Sequence, residues 1–142
     1  MLMAEGIVSS QLNDLLIQIG RSLLQYVGEC WPWASSHDSE TRSTLEQLAA
    51  EQQESVAALA ELLTACGQYI DFGTYPTSYT SLHYVDVQYL LSQLVKNQEE
   101  IVRECDSVSG AVGSDPTAVA LVKEVAVAER RHLDELRKLT GR

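Results

Sequence analysis

The sequence predicts an all-α chain, and three observations carry that prediction. Ala, Leu, Glu, Gln and Val are abundant among its 142 residues while aromatic side chains make up 6%, a balance that favours helices over a β-sandwich. Four stretches repeat apolar residues at three- and four-residue spacing, the mark of an amphipathic helix. Turn-rich segments separate them. A chain of this length suits one domain, residues 1–142, able to bury roughly two-thirds of the surface its unfolded form exposes.

The first helix is expected to begin near Ser9 or Ser10, either of which can cap free amides, and to run through LNDLLIQIGRSLLQYVGECW towards Trp33. Its inward stripe reads Leu12, Leu16, Ile19, Leu23, Tyr26, Cys30 and Trp33, with Leu15 and Glu29 on the flank. Pro32 should end or kink it near Trp31, and the two tryptophans are expected to plug the end of the molecule. His37 falls in the loop that follows.

The second helix, TLEQLAAEQQESVAALAELLTAC, contains neither Gly nor Pro and is rich in strong helix formers. Its stripe is Leu45, Leu48, Gln52, Val56, Leu59, Leu63 and Cys66. Ser43 with Glu46 resembles a capping box, although Asp38 or Ser39 would start the helix a turn earlier. Gly67 is a natural stop.

From Gly67 to Thr80 the chain reads GQYIDFGTYPTSYT, without helical period. Helix-to-helix links usually take about 2 to 8 residues, whereas this one, extended, reaches roughly 45 Å, the height of a long helix. The expectation is a crossover that makes the second and third helices parallel, with Phe72, Tyr75 and Tyr79 packed along the outside. The third helix then starts around Ser81, its stripe being Tyr84, Val87, Leu91, Leu94, Gln98, Ile101 and Cys105. Asp115 followed by Pro116 places a cap before a residue preorganised for the first helical position of the fourth.

That fourth helix carries the sharpest signal. Its stripe is Ala118, Val122, Val125, Glu129, His132, Leu136 and Leu139, so a Glu and a His one turn apart occupy the face that should point inward. Two short links flanking one long crossover direct the first and fourth helices one way and the middle two the other. In this the chain resembles the ferritin-like superfamily, including its rubrerythrin and bacterioferritin branches. The resemblance implies a ferritin-like four-helix bundle with a long crossover between helices 2 and 3, and a core site for two iron or manganese ions. In that family two helices each give a Glu and the others each give Glu-x-x-His. Glu129-Arg130-Arg131-His132 matches in full; Glu51-Gln52-Gln53-Glu54 has Glu in place of His; Gln18 and Gln93 stand where carboxylates are expected.

The resemblance therefore implies a metal role for Glu129 and His132, with Glu51 as a further ligand and oxygen or peroxide redox chemistry as the activity, and the helix order adds Glu29 and His83 as candidates to complete the shell. A mononuclear or displaced site is the variant suggested by topology, which gathers Glu29, His37, His83, Asp86, His132 and Glu135 towards one end. The alternative is a metal-free helical bundle serving as an interaction or scaffold module, with Glu129 and His132 satisfying each other. Whether the chain is an enzyme stays open between these two.

A formal charge of −10 repels phosphate backbones and anionic lipids, so neither nucleic acid nor membrane is an expected partner. No apolar run approaches the roughly 20 residues of a membrane span, and the N-terminus lacks a basic flank followed by an apolar stretch. A cytoplasmic location follows as an expectation, as does homodimer formation through an apolar helix face. Cys30, Cys66 and Cys105 are odd in number, lack CxxC spacing and fall in the inward stripes, which predicts inert buried thiols.

Overall fold

The computed structural model describes residues 2–30 and 39–140, and among these every regular element is helical. The order is α1 (Leu2–Gly20), α2 (Leu23–Glu29), α3 (Ser39–Ala65), a 3-10 helix (Thr77–Tyr84), α4 (Val87–Ala111) and α5 (Pro116–Thr140). No helix among the described residues is long and apolar enough to cross a membrane. Trp31, Trp33 and His37 lie outside the described residues.

Local chemistry sets the boundaries. Asp115 accepts hydrogen bonds from the amides of Thr117 and Ala118, at 3.1 and 3.2 Å, and so caps α5 just ahead of Pro116. At the far end of α3 the Gly67 amide donates to Thr64 O and the Gln68 amide to Leu63 O, at 2.9 and 3.0 Å. This is a Schellman ending, and Gly67 supplies the left-handed φ of 72° that it needs. Asp86 caps α4 by accepting from the Tyr89 amide at 2.8 Å. The predicted start at Ser81 instead falls in the 3-10 helix, because the carboxylate at Asp86 is the group that satisfies free amides at the head of α4.

The expected continuous first helix is two. Gly20 is the last residue of α1, and Ser22 adopts extended geometry at ψ 164° to cap α2, its hydroxyl accepting from the Gln25 amide at 3.3 Å. The Leu23 amide, left without a helical acceptor, donates to the Asn97 side chain at 3.1 Å. This break shifts the phase of the apolar stripe: Leu24 and Val27 are buried, Tyr26 is half-buried and Cys30 is exposed. Cys66 is exposed too, because α3 ends one residue before it. Of the three thiols only Cys105 is buried, and its pKa is pushed up to about 12, first by burial and then by the charge of Glu129.

Two apolar clusters form the core. One joins Leu12, Leu16 and Ile19 to Leu59, Leu63, Ile101 and Val122. The other joins Leu23, Leu24 and Val27 to Leu45, Leu91, Leu94 and Leu136. From the first cluster to the second, residue numbers rise along α1, α2 and α5 and fall along α3 and α4. The first two and the last therefore run one way, and α3 and α4 run the other. Each fully buried Leu contributes roughly 1.5–3 kcal/mol by leaving water.

The connector after α3 makes that order of directions possible. Asn13 and the backbone of Asp71 exchange two hydrogen bonds, at 2.9 and 3.0 Å. Arg21 next donates to the carbonyls of Phe72 and Gly73, both at 3.1 Å, and lies 5.0 Å from the centroid of the Tyr75 ring. The Tyr26 ring then meets Tyr75, Tyr79 and His83 at centroid distances of 5.3, 5.6 and 5.5 Å. The connector thus climbs beside α1 and α2, from Asn13 to Tyr26, before α4 turns back. Phe72 stays half exposed, whereas Tyr75 and Tyr79 are half-buried against α2.

Candidate functional site

Between the two apolar clusters lies a layer of buried polar side chains. Each helical rod reaches it where its apolar stripe is interrupted: Ser22 and Gln25 around the α1–α2 break, Gln52 between Leu48 and Val56, Gln98 between Leu94 and Ile101, and Glu129 with His132 between Ala126 and Leu136. Gln52, Glu129 and His132 are fully shielded from solvent. Side chains this buried must find their partners inside the molecule.

Glu129 is the hub. Its Oε1 accepts from Gln52 Nε2 at 2.7 Å and from Gln98 Nε2 at 3.1 Å, and its Oε2 meets His132 Nδ1 at 2.8 Å. Gln98 Nε2 also donates to the Glu129 carbonyl at 3.0 Å, which fixes the amide against the backbone of α5. On the other side Gln52 Oε1 accepts from the Ser22 hydroxyl at 3.0 Å and from Gln25 Nε2 at 2.9 Å. Gln25 Nε2 donates again to the Ala49 carbonyl at 2.8 Å. The layer therefore ties α2, α3, α4 and α5 together through one carboxylate.

His132 links this hub to the surface. Its Nε2 lies 3.3 Å from Glu51 Oε2 and 3.4 Å from an Arg131 nitrogen, and Arg131 donates to the same Glu51 oxygen at 2.6 Å. That hydrogen bond holds the Glu51 carboxyl below the usual carboxylate range, helped by the charges of Arg131 and His132 and opposed by partial burial. The same contact raises the Arg131 guanidinium.

Sequence spacing placed Glu129 and His132 correctly on an inward face, and Glu51 meets them from the rim. Glu29 and His83 do not join them. Glu29 is exposed on α2, where the helix break has turned it away, and its charge acts on the Tyr75 hydroxyl. His83 is half-buried in the 3-10 helix, with Nε2 hydrogen-bonded to the Tyr26 hydroxyl. Of the other acids expected at that end, Asp86 caps α4 and Glu135 pairs with Lys138 at 2.9 Å. Gln18 and Gln93 are only half-buried; Ser22, Gln25 and Gln98 are the side chains that reach the buried layer from those parts of the chain. The readable signal was the placement of Gln52 and Gln98 inside otherwise apolar stripes.

These donors do not suit a cation. Both oxygens of Glu129 are occupied by N–H groups, and the amide hydrogens of Gln52 and Gln98 point at the position a positive ion would take. Among the described residues no group of three or more His, Cys, Asp or Glu converges as a metal-binding set. The Tyr75 hydroxyl is the one buried side-chain polar atom there without a hydrogen bond, and it belongs to the connector. What the layer can do is fix the register and spacing of α2 to α5 around one buried charge.

Compared with known proteins, the chain matches no family model, no curated protein and no solved structure.

Proposed function

We propose that the chain is a divergent ferritin-like four-helix bundle that works without metal, as an interaction or scaffold module. α1 with α2 makes the first rod of this bundle, and α3, α4 and α5 make the others. One observation carries the reading: Glu129, where the superfamily would hold metal, is saturated by Gln52, Gln98 and His132. An amide nitrogen cannot coordinate as a carboxylate does, so the layer replaces ion binding by hydrogen bonding.

A second reading, iron or manganese supporting oxygen or peroxide chemistry, draws on the adjacency of Glu51, His132 and Glu129. Elemental analysis of protein purified without a histidine tag separates the two. Metal-free protein that takes up neither Fe2+ nor Mn2+ on reconstitution is the expected result. Stoichiometric metal that disappears in His132→Ala would establish the second reading instead.

A further inference from the structure

The face of α3 that turns away from the polar layer forms an open groove of about 700 Å³ with the connector. Its floor is Val56, Ala57, Ala60 and Thr64, and Phe72 forms one wall. Phe72 is 50% exposed, and Tyr69, three residues earlier on the connector, is 96% exposed. The exposed Phe72 ring beside an alanine-lined helix face makes a continuous apolar surface, whereas Val127 on α5, exposed as well, lies outside this groove.

Charge narrows what can cover it. From Glu51 to Phe72 the chain carries Glu51, Glu54, Glu61 and Asp71 and no Lys or Arg. Glu51 is engaged by Arg131 on its own side of α3. The nearest cation on the connector side, Arg21, is committed to the Phe72 and Gly73 carbonyls and the Tyr75 ring. A second copy of this face would set Glu54 and Glu61 against acids of their own kind, which costs affinity. A cationic partner gains instead.

We infer that this groove docks a basic amphipathic helix from a partner protein, with apolar side chains on Ala57, Ala60 and Phe72 and Lys or Arg towards Glu54, Glu61 and Asp71. The groove extends from Gln53 to Ala65, about 18 Å at the α-helical rise, enough for three turns of a guest. The small side chains on its floor let the guest axis come close. The inference rests on the interaction-module reading and names the partner chemistry.

The test uses the full chain and a fluorescent peptide of leucine and lysine, roughly 18 residues long and amphipathic as a helix. Binding is read by anisotropy and mapped by amide NMR shifts. Wild-type protein should bind it, with shifts centred on Gln53 to Thr64 and Tyr69 to Phe72. Phe72→Asp and Ala60→Asp should each weaken binding about tenfold, although both add negative charge, while Val127→Asp leaves it within about twofold. Raising salt from about 50 to about 500 mM should weaken it as well. Thermal melts confirm that all three variants are folded. Equal effects of Phe72→Asp and Val127→Asp, no binding, or a wild-type dimer dissociated by Ala60→Asp would each overturn the inference. Metal content is measured on the same sample: metal uptake with groove binding intact overturns only the metal-free core, and lost groove binding in metal-free protein overturns only the groove.

Discussion

At the scale of single residues, Glu129 decides how the molecule holds together. Glu129→Ala would take away the carboxylate that accepts from Gln52, Gln98 and His132 in a region closed to solvent. A loss of about 2–5 kcal/mol is expected in urea denaturation, with Glu129→Gln losing less because one acceptor remains. The two glutamines decide what the layer tolerates. Gln52→Glu combined with Gln98→Glu would crowd three carboxylates around the point where Glu129 now accepts two amides. Melting temperature should fall in the metal-free double variant and recover on adding Mn2+; unchanged stability in both states would show that the amides are not what excludes the ion. Glu51 gives a pH signature. Its carboxyl is depressed by the Arg131 hydrogen bond, so the stability it contributes is present above the ordinary carboxylate pKa and is lost as pH falls through the lowered value. In Glu51→Gln the acid side of the stability–pH curve should flatten. The effect is modest because Glu51 is 29% exposed and Arg131 more so.

At the scale of elements, the sequence was most legible where propensity, periodicity and caps agree. All seven residues of the α5 stripe are buried, and Asp115 with Pro116 marks its start as expected. α3 begins at Ser39, one of the starts proposed, and stops as Gly67 predicts. The α1–α2 break was not legible, because nothing local distinguishes Gly20-Arg21-Ser22 from a tolerated interruption. Its stabilising partners are Gln52 and Asn97, 30 and 74 residues away. The error carried forward into the site: a continuous helix would aim Tyr26 and Cys30 inward and keep Glu29 beside them, whereas the cap at Ser22 turns Tyr26 towards the connector and exposes Glu29 and Cys30. Gly73 and Gly67 make a matched pair on the connector. Both have positive φ, at 68° and 72°, but an added Cβ at Gly73 would lie 2.7 Å from Ile17 Cγ2 and one at Gly67 meets nothing. Gly67→Ala should cost about 1 kcal/mol, from backbone strain alone, and Gly73→Ala about 1–3 kcal/mol more by thermal or urea melting. Equal losses would mean that Ile17 moves aside freely.

At the scale of the whole molecule, the length of the connector was enough to foresee that α3 and α4 run together, because a 14-residue extended link spans a helix and a short one cannot. The composition of the polar layer was not foreseeable in the same way. It depends on which interrupted stripes meet at one height, and that height is set by the re-phased α2 and by α4 starting at Val87, six residues after the predicted Ser81. The charge of −10 likewise says little until it is mapped onto surfaces, where the stretch from Glu51 to Phe72 proves to lack any cation.

The route of that connector also bears on how fast the chain finds its shape. α4 and α5 are consecutive and antiparallel, so they can zip up as a local hairpin. That hairpin cannot dock on α1, α2 and α3 until the strap carrying Asp71 to Tyr79 has lain down along α1 and α2. Closing that loop is entropically uphill until its far contacts form, so refolding in stopped-flow experiments should be slower than for an up-and-down bundle of equal length. Asn13→Ala, which removes the first foothold of the strap, should slow it further.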